Sequence, residues 1–330
     1  MEDNRVNLRE LSQYGLKVSD RPLSYISCEK RNNKKDNVNT KNEDCARPNI
    51  QKLLYCDKNR CNLKGYEQEM LYDIKAGHWD VYENRDAWKQ DQRLVARDPR
   101  KDIKKNGVIG IDFGTKSTVV VRQEGSNEIR PIRIGSVSLE AEVAERDFEN
   151  PTIISCSNIT KFLEDYSEKV GRPETCCDDL FVSYGAYEGY KNCPTENFYA
   201  YFSELKQWAN MEKKDAVVSD IKEKAEYHLG EECSIEQKIL NPIEVYAYYI
   251  GLYINNMRNG IYLKYMMSFP VKYSKAAKEL IRSSFEKGLK KSLPATVVED
   301  AEIMPKFTVE YQISEPAAYA VTALEQSGFK

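Results

Sequence analysis

The sequence predicts an α/β fold: a mixed five-stranded sheet with an inserted α+β subdomain, preceded by a poorly ordered N-terminal extension. Three observations predict it. From Gly107 onward, short β-branched runs are joined by tight turns. After an intervening stretch at about 150–238, helix and strand patterns alternate through the rest of the sequence. Before 107 the periodicity is weak and the charge balance differs. Residues 1–106 carry 23 basic against 18 acidic residues, and the remainder carries 26 against 34. That break suggests a boundary near 106, separating an extension (1–106) from a main domain (107–330).

Within 1–106, residues 30–44 contain one apolar residue, Val38, and cannot bury enough surface to offset ordering; they read as a disordered loop. The aromatic-rich stretch Tyr66–Trp88 suits packing against the domain that follows, and Arg97–Lys105, with Pro99, reads as a linker. Val108–Phe113 (VIGIDF) is a buried strand. Ser117–Arg122 and Ile129–Ile134 follow as a second and a third strand, joined by turns at Gly114-Thr115-Lys116 and Gly125-Ser126-Asn127, so the three form an antiparallel meander. In the inserted unit Thr152–Ser155 is strand-like, the middle is turn-rich, and Tyr199–Ala209 and Ser219–Leu229 read as helices.

Asn241 is a good N-cap, Pro242 suits the first helical position and Glu244 completes a capping box, so a helix runs to about Met257. Asn259-Gly260 ends it, and Ile261–Phe269 is a strand. Ser274 caps a helix over Lys275–Lys290 with Ala277, Leu280, Ile281, Ser284, Phe285 and Leu289 on one face. Phe307–Ile313 is a strand, and Pro316–Gln326 a helix closed by Gly328. Strands followed by crossover helices return to one sheet through right-handed connections. The order βββ, insertion, αβαβα is that of the ribonuclease-H-like half-domain of actin-fold ATPases.

Composition narrows the function. Charged residues make up 31% and mean hydropathy is −0.66, which excludes a membrane-embedded chain. The longest apolar helix pattern, Val245–Ile254, is about half of the ~20 residues a span needs. The charged start Met-Glu-Asp-Asn-Arg lacks the apolar core of a signal peptide, so a cytoplasmic location is expected. A net charge of −3 gives no field for nucleic acid. Nine cysteines at irregular spacings read as reduced thiols, and the vicinal pair Cys176-Cys177 as inert. Cys56 and Cys61 lie near His78, but no second close pair completes a zinc site. His228 stands alone and reads as an ordinary histidine.

Gly110–Thr118 (GIDFGTKST) is the central chemical signal. Gly114 allows the backbone to approach a phosphate closely, and successive N–H groups at 114–117 can converge on anionic oxygens. Thr115 and Ser117 add hydroxyls and Lys116 adds charge, while Asp112 can hold a divalent cation through water. A second signal is Ser314-Glu315-Pro316-Ala317-Ala318, a carboxylate at a helix start directly after a strand. Both acids would lie at strand ends on one side of the sheet, where open sheets bind ligands.

Together with YMMSFPVKYSKAAKELIRSSFEKGL, these motifs make residues 107–330 resemble the N-terminal half of the ATPase domain of the DnaK-type, 70-kDa heat-shock chaperone family, within the actin-like ATPases. The resemblance implies ATP or ADP with Mg²⁺ as cofactor. Asp112 would lie near the metal, and Gly114, Thr115, Lys116 and Ser117 would line the β- and γ-phosphates. The family has a second threonine where Lys116 stands. Glu315 would stand near magnesium and the attacking water, and Lys191 would be the catalytic lysine of the inserted subdomain, with Lys206 a structural one. Pro270 and Lys278 would match the family's signalling proline and arginine. The family's second phosphate loop contains Gly-Gly, which this sequence lacks. The expectation is therefore a first lobe, a fragment inactive alone. Its partners would be a C-terminal ATPase lobe, a substrate- or partner-binding domain, and cochaperones. A sugar kinase of the glycerol-kinase type would share the first loop but not the SFPVKYSKAAK helix or the Ser-Glu-Pro segment. A non-enzymatic actin-fold scaffold would use one lobe for interaction.

Overall fold

Alternating burial along two central strands builds the molecule: Ile109, Ile111 and Phe113 face inward from one, Thr118 and Val120 from the next. The structure is a computed structural model that describes residues 50–125, 128–135, 145–212 and 215–314. The expected loop at 30–44 and the expected helix Pro316–Gln326 lie outside the described residues. In chain order the first elements are α1 (Ile50–Leu54), α2 (Cys56–Cys61), α3 (Trp79–Glu83), β1 (Val108–Phe113), β2 (Ser117–Glu124) and β3 (Glu128–Ile132). The inserted region holds β4 (Asn150–Pro151), β5 (Ile154–Cys156), α4 (Ile159–Glu168), β6 (Leu180–Val182), α5 (Ser183–Asn192), β7 (Tyr201–Phe202), α6 (Leu205–Ala209), β8 (Val217–Ser219), β9 (Glu226–Leu229) and β10 (Ile239–Leu240). Then come α7 (Pro242–Ile254), β11 (Lys264–Phe269), α8 (Lys275–Lys291), α9 (Ala295–Val298) and β12 (Thr308–Ser314).

The fold is α/β with a mixed sheet in the order β12-β11-β1-β2-β3. The β1–β2–β3 meander is antiparallel, and β11 and β12 join it in parallel. Short β4 pairs with Ser117 and Thr118 at the start of β2, making a sixth strand. Two further three-stranded sheets, β10-β9-β8 and β6-β5-β7, form the inserted region. The long helices α7 and α8 cover one face of the main sheet, where Phe113 meets Tyr246 of α7 and Phe285 of α8. They approach closely because Gly251 and Gly288 lie at the crossing. A Cβ on Gly288 would stand 2.2 Å from the Glu244 carbonyl oxygen and 2.7 Å from the Tyr248 nitrogen.

The Asn241 cap forms as expected, its Oδ1 accepting from the N–H groups of Ile243 and Glu244. Glu244 turns instead to Tyr166, whose hydroxyl donates to it at 2.9 Å. The α7 helix is buried around its whole circumference and ends at Ile254, because Asn255 leaves helical geometry and its Oδ1 accepts from the Tyr262 N–H. The Ser274 cap of α8 also forms, and all six expected positions of its inner face are buried.

Three expectations are corrected. Ser219–Leu229 is a strand pair, β8 and β9, not a helix. Its true period is two, with Tyr227 and Leu229 inward and Glu226 and His228 outward, and Lys224 turns the chain at φ 56°. Tyr199–Ala209 divides into the end of a 3₁₀ turn, strand β7 and the short helix α6. The turn-rich middle contains the helices α4 and α5, α4 capped by Asn158.

Residues 50–105 belong to the same compact unit, which spans 43–330, so the charge break at 106 falls inside it. Arg97–Lys105 is not a free linker. Pro99 is buried, Asp102 accepts from the Trp79 indole at 2.7 Å and pairs with Arg97, and Ile103 bridges to Ile261. Deeper in, Asp57 of α2 accepts from Arg60 at 2.8 Å and also pairs with Arg172 and Tyr66. Arg60 reaches the Pro173 carbonyl at 2.8 Å, and Arg172 reaches the Asn255 carbonyl at 2.5 Å. The two guanidiniums hold the Asp57 carboxyl well below its usual range, against the cost of its burial.

Burial pushes the Tyr246 and Tyr248 phenols up to about 12, and those of Tyr249 and Tyr166 upward as well. An unfolded tyrosine ionises near pH 10. Their contribution to stability is therefore complete below pH 10 and is lost as pH rises through about 12. In an ultraviolet titration of the 22 tyrosines, a late fraction is expected to ionise only together with loss of the helical circular dichroism signal. Smooth ionisation of all 22 near pH 10 with the fold intact would contradict this burial.

Candidate phosphate-binding site

The turn between β1 and β2 sits at the C-terminal end of the first central strand. Phe113 pairs with Thr118 across it, leaving Gly114, Thr115, Lys116 and Ser117 to reverse the chain. Glycine is required at its start, because a Cβ on Gly114 would stand 2.2 Å from the Ser117 carbonyl oxygen. Thr115 and Lys116 are exposed, as is Asp112. Since β1 alternates, Asp112 projects from the face opposite that of Phe113, away from α7 and α8. Ser268 donates to its Oδ1 at 2.5 Å. The β11–β12 register shifts between Met267 and Ser268, so two successive buried residues break the alternation where Ser268 meets Asp112.

A buried polar layer lies beneath the turn. The Thr118 hydroxyl lies 2.9 Å from that of Thr152, which donates to the Gly114 carbonyl at 3.1 Å. The Thr152 backbone N–H donates to the Lys116 carbonyl at 2.9 Å. Fully buried Asn150 stitches the neighbouring strands: its amide donates to Thr118 and Ile132 carbonyls at 3.0 Å, and its oxygen accepts from Ile134 at 2.6 Å.

The site residues read from the sequence separate into three groups. Asp112, Gly114, Thr115, Lys116 and Ser117 are brought together at the β1–β2 turn. Glu315 lies outside the described residues, one position beyond the end of β12. Lys191 is exposed near the end of α5, its ammonium over the Tyr187 ring at 4.2 Å from the centroid. Lys206, read as structural, lies on the Phe113 side of the sheet, with α7 and α8, the face opposite Asp112. It is buried on α6 with its ammonium 6.0 Å from the Phe113 ring centroid. Its setting, one charge inside Leu205–Ala209, where Leu205, Trp208 and Ala209 are all buried, accounts for that burial. Lys278 donates to the Val271 carbonyl at 3.3 Å and lies over Phe269, so it spans the turn at Pro270.

Among the described residues, Cys56, His78 and Asp80 place thiol, imidazole and carboxylate atoms within 4.8 Å of one another. His78 Nδ1 accepts the Asp80 backbone N–H at 3.1 Å, which puts the proton on Nε2, facing the Leu53 carbonyl at 3.1 Å. A metal at Nε2 needs the opposite tautomer and would set two N–H groups against each other. Burial lowers His78 and raises Cys56, keeping both neutral. The group is a hydrogen-bonded anchor for α1, α2 and α3.

No helix among the described residues is long and apolar enough to cross a membrane. No known family model matches the chain, and no curated protein matches it.

Proposed function

We propose that the chain is the first lobe of a DnaK-like ATPase with a ribonuclease-H-like fold, supplying one phosphate loop to an ATP·Mg²⁺ site that a second lobe completes. The observation that carries this reading is the strand order β12-β11-β1-β2-β3, with Gly114–Ser117 at the end of the first strand and Asp112 beside it. The residues suit the ligand. The turn is tight and glycine-dependent, two hydroxyls and a lysine lie on it, and an exposed carboxylate stands near the end of the strand that leads into it. When bound, magnesium neutralises charge on the β- and γ-phosphate oxygens.

In this reading the N–H groups of the turn and the hydroxyls of Thr115 and Ser117 hold the phosphates. Asp112, oriented by Ser268, holds water of the metal's shell. On the resemblance Lys191 is the catalytic lysine of the complete site, and Lys206, buried beside Phe113, is a structural one. Glu315 completes the acidic pair. A chaperone role in the cytoplasm, with cochaperones, belongs to the same proposal.

Phosphoryl transfer needs positioning and charge stabilisation from all sides of the phosphates, and one lobe supplies only one side. Titration with ATP·Mg²⁺ is expected to show binding no tighter than about 1 mM, near −4 kcal/mol, and no turnover above background. The amide resonances of 112–117 should shift in the same titration. Clear turnover by this chain alone, or no shift at 112–117 at saturating nucleotide, would overturn the reading.

A further inference from the structure

We propose that Thr152 is the positioning residue that sets which face of the 114–117 turn presents donors to an anion; the anion itself rests on the phosphate reading above. Thr152 is buried and follows β4 directly. It grips the turn at both ends. Its hydroxyl donates to the Gly114 carbonyl at 3.1 Å and its backbone N–H to the Lys116 carbonyl at 2.9 Å. In a trans peptide the carbonyl of one residue and the N–H of the next point in opposite directions. Drawing the Gly114 oxygen onto Thr152 therefore turns the Thr115 N–H away from Thr152. Drawing in the Lys116 oxygen does the same to the Ser117 N–H. Alternate N–H groups then share the outward side, where Thr115 and Lys116 are exposed. The Thr115 and Ser117 N–H groups are then two donors on one side of the turn from which a single anion can accept.

The hydroxyl has one proton. Since Thr152 spends it on Gly114, the 2.9 Å contact with Thr118 is donated by Thr118. Tyr246 closes the layer from α7 by donating to the Pro151 carbonyl at 3.0 Å. The grip thus comes from β4 and α7 and does not depend on the loop's own sequence. A valine at 152 keeps the shape and loses the donor; a serine keeps the donor.

The test is nitrogen-15 relaxation on the full chain for wild type, Thr152→Val and Thr152→Ser, reading residues 115–117 against β11. Wild type and T152S should show order parameters of about 0.85 at 115–117, and T152V should fall below about 0.6 there with β11 unchanged. Thr152→Ala serves as a second truncation if the valine variant does not fold. Thr118→Val, which leaves the Thr152–Gly114 bond in place, should keep the turn rigid. The proposal is overturned if T152V or T152A leaves 115–117 rigid, if T152S loosens them, or if the loss extends equally to β11. Shifts at 115 and 117 on adding ATP·Mg²⁺ to wild type score the phosphate reading separately, and their absence leaves the order-parameter result decisive for Thr152.

Discussion

Asp57→Ala is expected to lower stability by about 3–5 kcal/mol, because it strands two guanidiniums inside the protein. Asp57, Arg60 and Arg172 are each no more than 4% exposed, so neither arginine can recruit water as a substitute. Arg60 would keep the Pro173 carbonyl and the edge of Asp80 at 4.0 Å, and Arg172 the Asn255 carbonyl. Neither would keep a full counter-charge at hydrogen-bond distance. Thermal unfolding should fall by about 5–8 °C for a domain of this size. Asp57→Asn, which retains acceptor geometry without charge, should fall by less. The carboxyl's depressed pKa implies that the network persists in mild acid and is lost only as pH falls far below the ordinary carboxylate range. A midpoint within 2 °C of wild type for D57A would mean that residues 50–105 are not anchored through this group.

The second large effect runs against helix propensity. Alanine in place of an interior helical glycine normally stabilises by about 1 kcal/mol. At Gly288 it is expected to destabilise by about 1–3 kcal/mol, since its Cβ would meet backbone of α7, which cannot rotate aside as a side chain could. The two helices must then separate over the face where Phe285 supports Phe113, the last residue before the turn. Gly288→Ala should therefore lower the midpoint and also disturb the resonances of 114–117. A stabilised variant would show that α7 and α8 have slack at their crossing.

The parts of the fold legible in the sequence are those determined locally. VIGIDF carries its own alternation, and the caps at Asn241 and Ser274 need only their own first turns. Segments whose partners lie far along the chain were not legible. Arg60 finds Pro173, Cys61 finds Tyr253 and Glu83 finds Thr296, and no local period announces such contacts. The β8–β9 pair misled for a related reason: four residues of strand give too few repeats to separate period two from 3.6. At the site, Gly114 and Asp112 were legible because a turn and a strand end fix them. That Lys206 is buried and Lys191 exposed was not legible, because burial depends on how α6 and α5 dock.

The docking of α2 also imposes an order of events during synthesis. Arg60 and Asp57 reach their distant partners only once Arg172 and Pro173 exist, and Arg172 is itself completed only by Asn255. At about 5–20 residues per second a ribosome takes on the order of 10–40 s to make the intervening chain. For that interval the nascent N-terminal segment exposes Leu53, Leu54, Leu71 and Trp79, all buried in the finished protein. The chain thus spends its early life as the kind of unfolded, apolar-displaying polypeptide that general folding factors capture.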